Sequence, residues 1–120
     1  MIVDANVVLR YLLKDSHQAE AAREIIEERG VSIPGEVLAE VVYVLEGVYD
    51  VPRKRIAETL KRLMALPTVR GDRPAEILEK ALDHYAERNI DYVDALLCAW
   101  SSEEEVATFD KKLQRCVKES

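Results

Sequence analysis

Short apolar or β-branched pieces alternate along the chain with longer stretches in which apolar residues recur every three or four positions. The short pieces are Met1-Ile2-Val3, Val31-Ser32-Ile33, Thr68-Val69-Arg70 and Val106-Ala107-Thr108. Between them, three sets have helical spacing: Ala19, Ala22, Ile25 and Ile26; Ile56, Leu60, Leu63 and Met64; and Ile77, Leu78, Ala81, Leu82 and Tyr85. Val7-Val8-Leu9 with Tyr11-Leu12-Leu13, and the run Val37 to Leu45, are apolar nearly all round and predict helices buried between sheet and neighbours. Gly30 as a C-cap, Pro34-Gly35, Val51-Pro52, Pro67 and Pro74 punctuate the elements. The alternation predicts an α/β fold: one domain over residues 1–120, with a short four- or five-stranded parallel sheet flanked by about seven helices. The fifth strand has little to build on, because only Cys116 and Val117 follow the last helical piece, Lys111 to Arg115.

At 120 residues, 48% hydrophobic and 33% charged, the chain has the balance of one soluble domain, able to bury roughly two-thirds of its unfolded surface. No apolar run approaches the roughly 18 to 20 residues that span a bilayer, and no basic-then-apolar leader opens the sequence, so cytoplasm is the expected compartment. Cys98 and Cys116 lie in predicted helices with no Cys-x-x-Cys spacing and no histidine partner, which predicts reduced packing residues rather than a disulfide or a zinc site. His17 and His84 are expected on solvated helix faces. The net charge of -6 argues against sequence-blind binding to nucleic acid, unless bound cations reverse the sign locally.

Four acids stand in apolar surroundings. Asp4 closes Met1-Ile2-Val3, Glu40 interrupts Val37 to Leu45, Asp94 sits in Tyr92-Val93-Asp94-Ala95-Leu96-Leu97, and Asp110 follows Val106-Ala107-Thr108-Phe109. Taken singly, three have a plain structural reading: Asp4 and Asp110 as helix N-caps, and Asp94 with Asp91 as a loose capping box. Glu40 lies mid-helix, where no cap is needed. Taken together, strand ends and the helix starts that follow them gather at one edge of a parallel sheet, so all four carboxylates are expected in one crevice. Like charges within about 4 to 6 Å raise each other's pKa unless cations intervene, and oxygen ligands suit hard ions such as Mg²⁺ or Mn²⁺.

The opener Ile2-Val3-Asp4-Ala5-Asn6-Val7-Val8-Leu9-Arg10-Tyr11-Leu12-Leu13 and the segments Val37-Leu38-Ala39-Glu40-Val41-Val42-Tyr43-Val44-Leu45, Asp91-Tyr92-Val93-Asp94-Ala95-Leu96-Leu97 and Ala107-Thr108-Phe109-Asp110-Lys111 together resemble the PIN domain family, and within it toxin ribonucleases of the VapC type. The resemblance spans almost the whole chain, and its strength lies in the order and spacing of weak motifs. It implies that Asp4, Glu40, Asp94 and Asp110 are the acidic quartet, that Asn6 and Thr108 orient the metal shell or substrate, and that Mg²⁺ or Mn²⁺ is the cofactor. It also implies a homodimer and a cognate antitoxin protein. The brief tail after Asp110 departs from the family pattern.

The expected chemistry is metal-assisted hydrolysis of single-stranded or structured RNA, with the carboxylates positioning ions rather than attacking. Arg10, Lys111 and Lys112 flank the acidic motifs as candidate phosphate contacts, whereas Arg53-Lys54-Arg55 reads as a solvated helix start. Two rivals remain. An aspartate-phosphorylating hydrolase or receiver would use Asp4 and Asp72, but Asn6 stands where the hydrolase needs an acid, and the receiver's early adjacent acid pair is absent. A catalytically inactive module with the same fold, binding RNA or protein, is the other.

Overall fold

Val31, Ser32 and Ile33 are buried, half-buried and buried in turn, as in a strand with neighbours on both sides. This strand, β1 (Val31–Ile33), pairs in parallel with β2 (Val69–Gly71), with Val31 opposite Val69 and Ile33 opposite Gly71. On its other side the N-terminal segment adds a single parallel bridge, Ile2 to Ser32. There the Ser32 N–H donates to the Met1 carbonyl at 2.8 Å and the Val3 N–H to the Ser32 carbonyl at 3.3 Å. All three segments point the same way, so Asp4, Pro34 and Asp72 emerge at one edge of the sheet.

The computed structural model describes residues 1–120 and contains seven helices: α1 (Ala5–Leu13), α2 (Ala19–Glu24), α3 (Gly35–Gly47), α4 (Arg53–Ala65), α5 (Ala75–Glu87), α6 (Tyr92–Trp100) and α7 (Lys111–Glu119). A π-helical turn, Ile25–Arg29, continues α2. Gly30 then redirects the chain into β1 at φ 82°, a conformation glycine adopts without a Cβ penalty. The stripes seen in sequence form the core: Ile56, Leu60 and Leu63 of α4 and Ile77, Leu78, Ala81, Leu82 and Tyr85 of α5 are all buried. α5 packs against both α4 and α6, while α3 touches α1, α4 and α6.

The sheet is parallel, as expected, but has two strands and one bridge instead of four or five strands. Val106–Thr108 does not join it. Its polar groups are taken locally: Gln114 Nε2 donates to the Thr108 carbonyl at 2.7 Å, and the Asp110 N–H donates to Thr108 Oγ1 at 3.0 Å. Nor is there a fifth strand, because α7 runs through Cys116 and Val117 to Glu119, and Leu113 and Cys116 bury one face of it.

The expectation for the cysteines is half right. Both are buried packing residues, but they are joined as a disulfide across α6 and α7. A separation of 18 residues gave no local sign of this; the docking of α7 on α6 brings the sulfurs together. The expected solvated face for His84 is also corrected, since its Nε2 is buried without a partner. His17 is exposed.

Arg53 is not a solvated helix start either. At the first position of α4 its guanidinium donates to the carbonyls of Tyr85 (3.0 Å), Arg88 (3.2 Å) and Ile90, and lies 4.4 Å from the centre of the Tyr85 ring. It answers the open carbonyls where α5 ends, a cation at the negative end of that helix. This outweighs its poor position at the positive end of α4.

Candidate functional site

Each of the three helices that carry an aspartate near the site begins on a side-chain cap. Asp4 Oδ1 accepts the Val7 N–H at 3.1 Å at the start of α1, Asp91 accepts the Asp94 N–H at 2.9 Å at the start of α6, and Asp110 accepts the Leu113 N–H at 2.9 Å at the start of α7. The N-caps read for Asp4 and Asp110 are therefore real, and of the loose Asp91–Asp94 box only the Asp91 half forms. They do not exhaust the carboxylates, because each cap uses one oxygen and leaves the other to accept elsewhere.

Asp94 is half-buried on the first turn of α6. Burial raises its pKa from the ordinary carboxyl value, and the charges of Asp91 and Asp110 raise it further. Two acids expected in one crevice, Asp94 and Asp110, thus lie within each other's field, and Asp91 joins them. Tyr43, on α3, lies in the same field: its hydroxyl is pushed up by burial, then by Asp91, Asp94 and Glu46. Glu40 is exposed and stands three residues before Tyr43, so the two share a helix face. Asp4 is exposed at the edge of the sheet where α3 also begins.

The four carboxylates are not drawn into ligand contact with one another. The one set of three or more His, Cys, Asp or Glu side chains with ligand atoms all within 4.8 Å of one another is His84, Cys98 and Cys116. For a hard divalent ion, the fit at the acidic site rests on donor chemistry and charge. The donors are all oxygens, and Asp94 is raised by burial and then by the charges of Asp91 and Asp110, a cost that a cation would relieve.

Around the acids, Asn6 is exposed and Thr108 half-buried. Thr108 accepts from Asp110 N–H, which leaves its own hydroxyl proton free to donate. Arg10 Nε is held by Gln18 Oε1 at 3.1 Å, Lys112 Nζ reaches the Asn89 carbonyl at 3.4 Å, and Lys111 is exposed. Phe109, beside Asp110, is fully solvated, an aromatic ring that the sequence did not single out. Its signal was available: a lone Phe between a half-buried Thr and a helix cap has no core position to fill.

A second group was also missed. Asp72 leaves the end of β2 and accepts the Gly35 N–H at 2.9 Å, capping α3 from another segment because Pro34 has no side-chain oxygen to offer. Its other oxygen takes Arg73 Nη1 at 3.0 Å, and the Arg73 guanidinium lies 4.1 Å from the centre of the Trp100 ring. The Tyr92 hydroxyl is buried beside them without a partner, and burial, eased by Arg73, pushes its pKa up to about 12. Asp72 is thus committed to capping, which removes it from the phosphohydrolase or receiver role.

The family model described as PIN domain matches residues 1–119. No curated protein and no solved structure matches this chain. No helix is long and apolar enough to cross a membrane.

Proposed function

We propose, starting from the fact that this chain belongs to the PIN domain family, a family generally of nucleases, that it is a Mg²⁺- or Mn²⁺-dependent endoribonuclease whose site is built from Asp4, Glu40, Asp94 and Asp110. The observation that carries the reading is the raised Asp94 carboxyl, caught between burial and the charges of Asp91 and Asp110 in a half-buried position where α6 and α7 begin. Burial first and neighbouring charge second raise this carboxyl, and a bound cation would offset both.

Asp4 and Asp94 are the main ligands in this reading, and Glu40 and Asp110 complete the shell directly or through water. A divalent ion held there lowers the pKa of a bound water and offsets charge developing on the phosphate. The protein's own groups do the rest. The Asn6 amide and the Thr108 hydroxyl hold water or a phosphate oxygen, and Arg10, Lys111 and Lys112 bring the backbone in despite the net charge of -6. Phe109 offers a face on which an unpaired base stacks, which favours single-stranded RNA or the unpaired parts of structured RNA.

The finer reading is that of a toxin ribonuclease of the VapC type, a cytoplasmic homodimer silenced by a cognate antitoxin. Support comes from the order and spacing of the four acidic motifs. Co-expression with the adjacent small open reading frame is expected to yield a tight, inactive complex.

The deciding experiment incubates purified protein with single-stranded and structured RNA in Mn²⁺ or Mg²⁺, with and without chelator, beside Asp4→Asn and Asp94→Asn. Cleavage that needs the ion and is lost in both variants is the expected result. Cleavage that survives both substitutions would end the assignment. Metal binding with no turnover on any RNA would favour a catalytically inactive PIN-like module that binds RNA or protein.

A further inference from the structure

Away from the acids, three helices bring a different donor set together. One ring nitrogen of His84 on α5 and the sulfurs of Cys98 on α6 and Cys116 on α7 lie within 4.8 Å of one another. Both cysteines are buried, and His84 Nε2 is shut off from solvent with nothing to accept from or donate to. A buried imidazole nitrogen with no partner is costly, and a native fold seldom leaves one without use. The nearby ionisable groups Arg88, Lys80, Glu87 and Asp83 all belong to α5 itself or its C-cap, and none satisfies that nitrogen.

We propose that, once the Cys98–Cys116 disulfide is reduced, His84, Cys98 and Cys116 form a binding site for a borderline-soft divalent ion of the Zn²⁺ class. The pair then has two alternative closed states, a disulfide and a metal dithiolate. A dithiol reductant opens the S–S bond, giving two protein thiols and the reductant's own disulfide. The ion then displaces both thiol protons to solvent and takes the lone pair of the neutral imidazole. Burial already favours that neutral form, since it lowers the pKa of His84. Two thiolates and one imidazole suit zinc and reject Mg²⁺, so this site and the acidic one choose different ions. With three protein ligands the fourth position falls to water.

The arrangement follows from where disulfides persist. Cysteines kept reduced by cellular thiols lose their staple, and a metal restores it while adding α5 to the join. What is held in either state is the docking of α6 and α7, whose first turns and caps carry Asp91, Asp94 and Asp110.

The test reads metal binding, independent of any cleavage. The full chain is reduced with a phosphine and titrated with Co²⁺, whose thiolate charge-transfer absorption reports sulfur ligation, and Zn²⁺ is then added to displace it. The expected result is a one-to-one thiolate band in reduced protein, none in oxidised protein, and a band unchanged by Asp4→Asn with Asp94→Asn. Affinity should fall more than about tenfold in both His84→Ala and the volume-keeping His84→Gln. The proposal is overturned if reduced protein with two free thiols shows no band, or if both His84 variants bind as tightly as wild type.

Discussion

The Asp91 carboxylate accepts the backbone N–H of Asp94 at 2.9 Å, and the Asp94 carboxyl, already raised by burial, is raised again by the charge of that same neighbour. One residue starts helix α6 and destabilises the ionised form of the acid a turn further on. A folded-state pKa above the unfolded one means that Asp94 favours folding at low pH, and that this contribution is lost as pH rises through the folded value. At neutral pH the ionised Asp94 therefore opposes folding. Asp94→Asn is expected to raise Tm at pH 7, with the gain shrinking as pH falls through the raised folded value and gone below about 4, where the wild-type group is protonated in both states. On the proposed assignment, added Mn²⁺ should raise Tm of wild type and not of the variant, as a ligand that binds only the folded site does. Melting curves at the two pH values, with and without Mn²⁺, check all three outcomes.

Arg53 joins the start of α4 to the end of α5. Arg53→Ala removes donors to three carbonyls and the cation stacked on Tyr85, and is expected to destabilise the fold by about 2–3 kcal/mol in urea unfolding. Arg53→Lys should recover less than half of that, because the shorter side chain falls short of the carbonyls that Nη1 reaches and an ammonium has no planar face to lay on the Tyr85 ring.

Neutralising Lys111 and Lys112 is expected to flatten the salt dependence of RNA affinity, by about one unit of log–log slope for each phosphate that the two ammonium groups neutralise, with the unfolding midpoint unchanged. Arg53→Ala should leave that slope alone, which separates a basic residue that holds the fold from the basic residues proposed to hold RNA.

Helices α4 and α5 were legible in sequence because each has a full stripe of core residues: Ile77, Leu78, Ala81, Leu82 and Tyr85 of α5 recur at helical spacing and are all buried. Val106–Thr108 misled for the opposite reason. Three residues of strand-like pattern carry no information on whether a partner strand is near, and Gln114 and Thr108 itself settle their polar groups instead. Caps at Asp4, Asp91 and Asp110 were readable from residue type and position. The Asp72–Gly35 cap was not, since its partners are 37 residues apart. The same holds for His84, Cys98 and Cys116, which meet only because α5, α6 and α7 pack together.

Gly35 lies against the Arg73 guanidinium: a Cβ there would come within 2.8 Å of Nη1 and 3.5 Å of the Asp72 carboxylate. Gly35→Ala is expected to push Arg73 off both Asp72 and the Trp100 ring and to weaken the cap of α3, destabilising by roughly 1–3 kcal/mol. A change in Trp100 emission between wild type and Gly35→Ala, measured in native buffer, is the expected sign that Arg73 has left the ring.

Reducing Cys98–Cys116 frees an 18-residue separation in the unfolded chain, and the chain-entropy relation puts the stability at stake near about 3 kcal/mol. α7 has only Leu113 and Cys116 fully buried, so little else ties it to α6, and the helix is expected to loosen before the rest of the fold. Hydrogen exchange on reduced protein should show α7 amides opening first, with β1, α4 and α5 still protected. Zn²⁺ added to the reduced chain should restore protection in α7 and extend it to the end of α5 around His84. Restoration in α7 alone, equal in His84→Ala, would mean that the two sulfurs bind the ion without the histidine.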